Sequence, residues 1–283
     1  MKIYIIVEGG LGNQLFQASY GKYLEARYDS EIVFLSITKS YRVPRECELD
    51  RFGIRVVQLG YLGGWMARFL IALMRRGADF WPFRGLLLCE EKIPDPTSLP
   101  EKKPIVVLGY WQKYQAAVVG ISLLKMVYED AKIKTCVLND VKPQKRFAVH
   151  VRCGDYRNDL VTSKRHLVCT QKYYIDSWRL VQKLVPGSAL EVFSDDVDWV
   201  KDNIPFDGDV RYVGGINSPA WVDLFKIADC DGYIISNSSF SWWAATLGDS
   251  GEQIVIAPDQ WFVGVKTKEL GIVPEHWHLL PTE

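Results

Sequence analysis

The sequence predicts an α/β protein built on mainly parallel sheets, and three observations carry that expectation. Apolar runs of strand length alternate with helix-length stretches through most of the chain. The strand candidates are hydrophobic without a break, as in Val106-Val107-Leu108 and Ile234-Ile235, a pattern expected of strands covered on both faces. Three strand ends also run into polar turns, where an open α/β enzyme holds a phosphorylated ligand.

Taken in order, strands are expected at 2–8, 31–36, 54–58, 104–109, 146–152, 189–194, 209–213, 232–236 and 253–257. Helices are expected at 12–27, 64–76, 114–132, 171–184, 196–202, 219–229 and 239–247. The segment 77–104 breaks the rhythm: Pro82, Pro94, Pro96, Pro100 and Pro104 make it read as loop. A polar stretch, Asn139 to Lys145, precedes the strand that leads to His150, and the domain boundary is placed there. The expected domains are 1–143 and 144–283, a division that a chain of 283 residues allows. No repeat of about 20–50 residues is visible.

Hydrophobic residues make up 48% of the chain, enough for a packed core. The charges balance, 34 basic against 34 acidic, without the basic excess of a nucleic-acid binder, so nucleic acid is not an expected partner. One or two well-placed arginines still suffice for an anionic ligand. The six cysteines (Cys47, Cys89, Cys136, Cys153, Cys169, Cys230) include no CxxC pair, and the first strand begins too early to follow a secretory leader. Reduced thiols and a cytoplasmic location are the expectation. No apolar run reaches the roughly 20 residues needed to span a bilayer. The stretch Trp65 to Arg76 is short, interrupted by Arg68, and basic at its end. It reads first as a packed helix, with peripheral contact to an anionic membrane as the alternative.

The first turn is Gly9-Gly10-Leu11-Gly12-Asn13-Gln14. Its glycines let a ligand approach main-chain N–H groups, and the following helix points its positive end at the turn. The spacing fits neither GxGxxG nor a Walker loop, and an ordinary βα turn is the plain alternative. The second is His150-Val151-Arg152-Cys153-Gly154-Asp155-Tyr156. Positions 150 and 152 share a strand face. Arg152 can fork two hydrogen bonds to a phosphate. Asp155 either holds Arg152 or meets a ligand hydroxyl. The third, Ser236-Asn237-Ser238-Ser239, caps a helix and offers hydroxyls and N–H groups to phosphate oxygens. Two more carboxylates stand near strand ends. Asp195, in Phe193-Ser194-Asp195-Asp196, could serve a ribose or a base edge, with Asp196 as a helix cap. Asp223, on a helix, could accept from a guanine edge, if it does not simply face solvent.

These runs, together with Leu15-Phe16-Gln17 and Phe240-Ser241-Trp242-Trp243, resemble in order and spacing the motifs of the bacterial α-1,2-fucosyltransferases. The resemblance implies a B-type glycosyltransferase fold, with two Rossmann-like domains facing across a cleft. The amino-terminal domain would be the acceptor side and the carboxyl-terminal one would bind the donor. It implies GDP-fucose as donor, the 2-hydroxyl of a terminal galactose as acceptor, inversion at the anomeric carbon and no required metal or other cofactor. The role of a donor contact falls on Gly10, Gly12, Asn13, His150, Arg152, Asp195, Asp223, Asn237, Ser238 and Ser239. Catalytic weight falls on Arg152, Asn13, His150 and Asp155. One departure stands out: the family's second, adjacent arginine is Cys153 here. A neutral thiol cannot replace that charge, so Arg152 acts with the helix dipoles or with a more distant cation, Arg157 or Lys164.

The acceptor hydroxyl's proton has three candidate bases, Glu8, His150 and Asp155, and neutral histidine is the best tuned near pH 7. The acceptor is expected near 40–115, where Tyr41, Trp65, Trp81 and Trp111 lie. Two rivals remain: a transferase for another nucleotide sugar, and a non-catalytic glycan or nucleotide binder, with which the ten tryptophans are compatible.

Overall fold

A computed structural model describes residues 2–37, 46–60, 69, 72, 87–89, 105–135, 144–153, 164, 166, 168–213 and 218–282. The chain forms two compact units, Met1–Leu124 and Lys125–Glu283. The dividing line falls inside a helix, earlier in the chain than the 143/144 junction expected from the polar stretch.

The amino-terminal unit holds a five-stranded sheet. Its strands are β1 (Lys2–Val7), β2 (Glu31–Ile37), β3 (Val56–Leu59), β4 (Leu87–Cys89) and β5 (Ile105–Leu108). They lie in the order β3-β2-β1-β5-β4, and every neighbouring pair is parallel. Helix α1 (Leu11–Tyr28) follows β1, and α2 (Tyr114–Thr135) follows β5. The two helices pack closely where Gly120 faces Ser19: a Cβ on Gly120 would come within 2.6 Å of the Ser19 Cα. The Ser19 hydroxyl donates to the Ala117 carbonyl at 2.6 Å. β4 falls within 77–104, the segment expected to be mostly loop. Its three residues are too few to show a period, and pairing with β5 is what makes them a strand.

The carboxyl-terminal unit holds six strands, β6 (Arg146–Val151), β7 (Ala189–Ser194), β8 (Val210–Tyr212), β9 (Gly232–Ile234), β10 (Ile254–Pro258) and, last in the chain, β13 (His278–Leu280). Their order is β13-β10-β9-β6-β7-β8, again parallel at each pairing. The hairpin strands β11 (Gln260–Phe262) and β12 (Val265–Lys266) stand apart. Helices α3 (Gln171–Leu184), α4 (Val197–Asn203), α5 (Ala220–Ala228), α6 (Ser239–Gly248) and the short α7 (Thr267–Leu270) complete it. Phe147, Val149, Val151, Trp178, Leu190, Val192, Ile234 and Ile256 form one buried cluster. Burial along β6 and β7 is nearly complete and takes in even His150 and Glu191. Both tryptophans of α6, Trp242 and Trp243, are in the core.

Read outward from β6, the chain lays down β7 and β8 on one side and then crosses to β9, β10 and β13 on the other. This is the strand order of a Rossmann sheet, whose ligand crevice opens where the direction reverses, here between β6 and β9. The amino-terminal unit reverses in the same way between β1 and β5. The expected helix at 64–76 lies outside the described residues, apart from 69 and 72.

Candidate active site

Both reversal points carry the turns singled out in the sequence. In the carboxyl-terminal unit, β6 pairs with β7 in the register Val151↔Ser194. The residues just past each strand end therefore stand side by side. Arg152 Nη1 lies 2.7 Å from Asp195 Oδ2, and the Cys153 amide donates to Asp195 Oδ1 at 2.8 Å. One carboxylate thus orients both the guanidinium and the turn behind it. Asp195, a candidate ribose or base contact in the sequence, is seen here paired with Arg152 across the neighbouring strand. Asp155, Arg157, Tyr41, Trp65 and Trp81 lie outside the described residues, and Lys164 is exposed.

On the other side, β6 pairs with β9 in the register Val149↔Ile234. His150, buried, sets Nδ1 3.2 Å from the Ser236 hydroxyl, which lies 3.3 Å from that of Ser241. The Phe240 ring lies 5.2 Å from the imidazole. His150 and Arg152 therefore reach toward opposite neighbouring strands. Burial pushes the His150 imidazole down to about 4, Arg152 adds to the shift, and Asp195 opposes it. The imidazole is therefore neutral near pH 7, in hydrogen-bond reach of the Ser236 hydroxyl on the crevice floor.

The Ser236–Ser239 turn divides its labour. Ser238 caps α6 by accepting from the Phe240 amide at 3.3 Å. Asn237 is buried and spends its side-chain amide on the carbonyls of His166 (2.8 Å) and Trp261 (2.9 Å). Its side chain braces the turn, so any ligand contact falls to its main chain. Ser239 opens the helix at its first position, half-buried. Asp223, in the first turn of α5, does not simply face solvent. Its Oδ1 accepts from the Ser218 hydroxyl at 2.8 Å and lies 3.5 Å from Lys226 Nζ. Asp196 caps α4 through the Trp199 amide.

The buried Cys153 thiol packs into the core cluster and takes a 3.7 Å contact from the Ser194 hydroxyl. At the position of the family's second cation the chain therefore carries a packing group. Cys47, Cys153, Cys169 and Cys230 are free thiols. Among the described residues no group of three or more His, Cys, Asp or Glu is placed to hold a metal ion.

The amino-terminal turn is neutral and tied by amides. Gly10 stands before α1 without a side-chain cap, and its carbonyl accepts from the amides of Asn13 (2.9 Å) and Gln14 (3.0 Å). By helix geometry the amides of Leu11 and Gly12 have no acceptor within the helix. Gln14 donates to the carbonyls of Gly9 and Glu46 and accepts from the Glu48 amide. Gln17, fully buried, accepts from the Glu8 amide at 3.1 Å and donates to the Gly109 carbonyl at 2.9 Å. It thereby ties the ends of β1 and β5 together. Gln112 donates to Asn13 Oδ1 at 2.7 Å. Trp111, expected among acceptor-side aromatics, is instead buried against Tyr20, their rings stacked at 4.1 Å. The signal for Gln14 and Gln17 was present in the sequence, as two glutamines three apart on an otherwise apolar helix face. Gln112 offered none, being 99 positions from Asn13.

Two doubly wound parallel units, one with an oriented arginine at its reversal point, define an α/β protein of the nucleotide-binding kind. Residues 88–278 match the profile of Glycosyl transferase family 11, and the chain belongs to that family; it is a glycosyltransferase. Its similar proteins include the alpha-1,2-colitosyltransferase of Escherichia coli, 29% identical over 285 residues, covering 95% of each chain. The O-antigen biosynthesis glycosyltransferase WbnK of Escherichia coli is 27% identical over 300 residues, covering 95% of this chain and 97% of that one. The galactoside alpha-(1,2)-fucosyltransferase 1 of Saimiri sciureus is 27% identical over 140 residues, or 47% of this chain and 38% of that one. Solved structures that resemble the fold include the E. coli ADP-heptose lps heptosyltransferase II (TM-score 0.49, 12% identity, covering 99% and 90%). POFUT1 in complex with GDP gives a TM-score of 0.49 at 15% identity, covering 90% and 97%. Among the described residues no helix is long and apolar enough to cross a membrane.

Proposed function

We propose that the chain is an inverting galactoside α-1,2-fucosyltransferase, moving L-fucose from GDP-fucose to the 2-hydroxyl of a terminal galactose. Its two Rossmann-like units are then the halves of a B-type glycosyltransferase. The observation that carries the donor site is Arg152, held by Asp195 at the β6/β9 reversal point. Breaking the fucose–phosphate bond puts negative charge on GDP, and a guanidinium already oriented before the reaction stabilises it without reorganising. The α6 amino terminus, with Ser238 and Ser239, adds N–H and hydroxyl donors on the β9 side of β6. His150 and Ser236 shape the crevice floor. Asp223, with Oδ1 occupied, offers Oδ2 to the guanine edge. Inversion needs no enzyme nucleophile, which suits a site whose buried thiol at 153 faces the core.

The acceptor is a galactose-terminated glycan. The name of one E. coli relative, an O-antigen biosynthesis glycosyltransferase, favours an O-antigen repeat, with peripheral membrane contact if that repeat is lipid-linked. A colitosyl donor is the second reading, favoured by the name of the other E. coli relative. Release of GDP on mixing GDP-fucose with lactose is the test, with GDP-colitose in parallel. Turnover with colitose alone would replace the donor assignment. Thermal stabilisation by UDP or ADP but not by GDP would remove it. Nucleotide binding without turnover on any galactoside would leave a binding module.

A further inference from the structure

The chain leaves β5 along an unusual path. Trp111 has φ +55°, in the left-handed region where a non-glycine residue costs about 1–3 kcal/mol. Three contacts hold it there. The Trp111 ring stacks on Tyr20 with 7° between planes. The Lys113 amide donates to the Trp111 carbonyl at 2.8 Å. Gln17 anchors Gly109 just before it. The next residue is Gln112, whose Nε2 reaches Asn13 Oδ1 at 2.7 Å. An amide nitrogen only donates and an amide oxygen only accepts, so while Gln112 is the donor the Asn13 oxygen is engaged and its nitrogen faces the other way. Its Nδ2 is then turned to the Gly9 turn, where a Cβ on Gly9 would come within 2.9 Å of it.

We propose that Gln112 is a positioning residue: it holds Asn13 so that an N–H donor, not a carbonyl, meets an oxygen of the substrate. The proposal rests on the transferase reading above. The oxygen belongs either to the donor's phosphate or sugar or to a hydroxyl of the acceptor glycan. The strained Trp111 turn is the device that delivers Gln112 to Asn13.

The test is a double-mutant cycle in steady-state kinetics with GDP-fucose and lactose. Asn13→Ala is expected to lower kcat about 100-fold, the loss of one such donor. Gln112→Met, similar in length but without a donor, is expected to lower it about tenfold, the worth of one hydrogen bond. The double variant should equal Asn13→Ala alone, because Gln112 acts through Asn13; multiplied losses would overturn the proposal. Gln112→Glu keeps the shape and reverses the polarity, so it should fall below Gln112→Met. If position 112 only packs, Glu is the better-tolerated residue, and a wild-type kcat there refutes the idea even if Gln112→Met fails to fold. A raised KM for GDP-fucose assigns the oxygen to the donor, and a raised KM for lactose assigns it to the acceptor. A wild-type protein that releases no GDP with any donor removes the transferase reading and this proposal together. Wild-type turnover with an unaffected Gln112→Glu removes only the proposal.

Discussion

The two reversal points are built on the same topology and filled with opposite chemistry. In the carboxyl-terminal unit the crevice holds an ion pair, Arg152–Asp195, and a buried imidazole on a serine pair. In the amino-terminal unit it is closed by neutral amides: Gln14, Gln17 and Gln112 join β1, α1 and the turn after β5. Amide bonds are directional and add no net charge, so they fix geometry without attracting an anion. A clamped guanidinium does both. On the proposed reading, charge recognition falls to the carboxyl-terminal unit and orientation to the amino-terminal one.

The largest expected effect breaks the charged side. Arg152→Ala should lower turnover about 10²–10³-fold, or about 2.7–4 kcal/mol in the transition state. Its melting temperature should hardly move, because the Arg152–Asp195 pair is partly exposed and worth about 1 kcal/mol or less. Near-wild-type kcat would erase the contrast between the units. The reverse pattern is expected of Gln17→Leu. It orphans the Glu8 amide and the Gly109 carbonyl at about 1–3 kcal/mol each. Thermal unfolding should show a drop of several degrees with GDP affinity retained by the protein that stays folded.

A smaller effect is expected at Gly9, which has φ +86°. Gly9→Ala should cost about 1–2 kcal/mol of stability and displace the Asn13 amide, which lies 2.9 Å from the new Cβ. Activity should fall more than urea-derived stability does; equal wild-type values on both would mean the turn tolerates a side chain.

An effect of similar size is a pH slope. An unfolded histidine takes a proton near pH 6.5, and the buried His150 only near 4. Between those values the unfolded state binds more protons, so stability declines as pH falls from 6.5 toward 4. His150→Gln should flatten that part of the curve in urea titrations at pH 5 and 7. An unchanged slope would show that the imidazole is not buried as described.

Much of this was legible in the sequence because it is local. Unbroken apolar runs announced β5 and the end of β9, and a glycine turn before the following helix announced α1. The serine-rich junction at 236–239 announced the α6 cap. Two short strands, β4 and β13, were not legible: each has three residues, and only neighbours in register make them strands. The Arg152–Asp195 pair was hidden for the same reason: Asp195 reaches Arg152 because β7 lies against β6.

By itself, then, the sequence determined which segments are strands and helices and which strand ends carry polar turns, since periodicity and turn chemistry act over a few residues. Strand order and register were decided by the tertiary structure alone. They set Asp195 against Arg152, Ser236 against His150 and Gln112 against Asn13. Each of those pairs joins positions far apart in the chain, and only sheet pairing brings them within hydrogen-bonding distance.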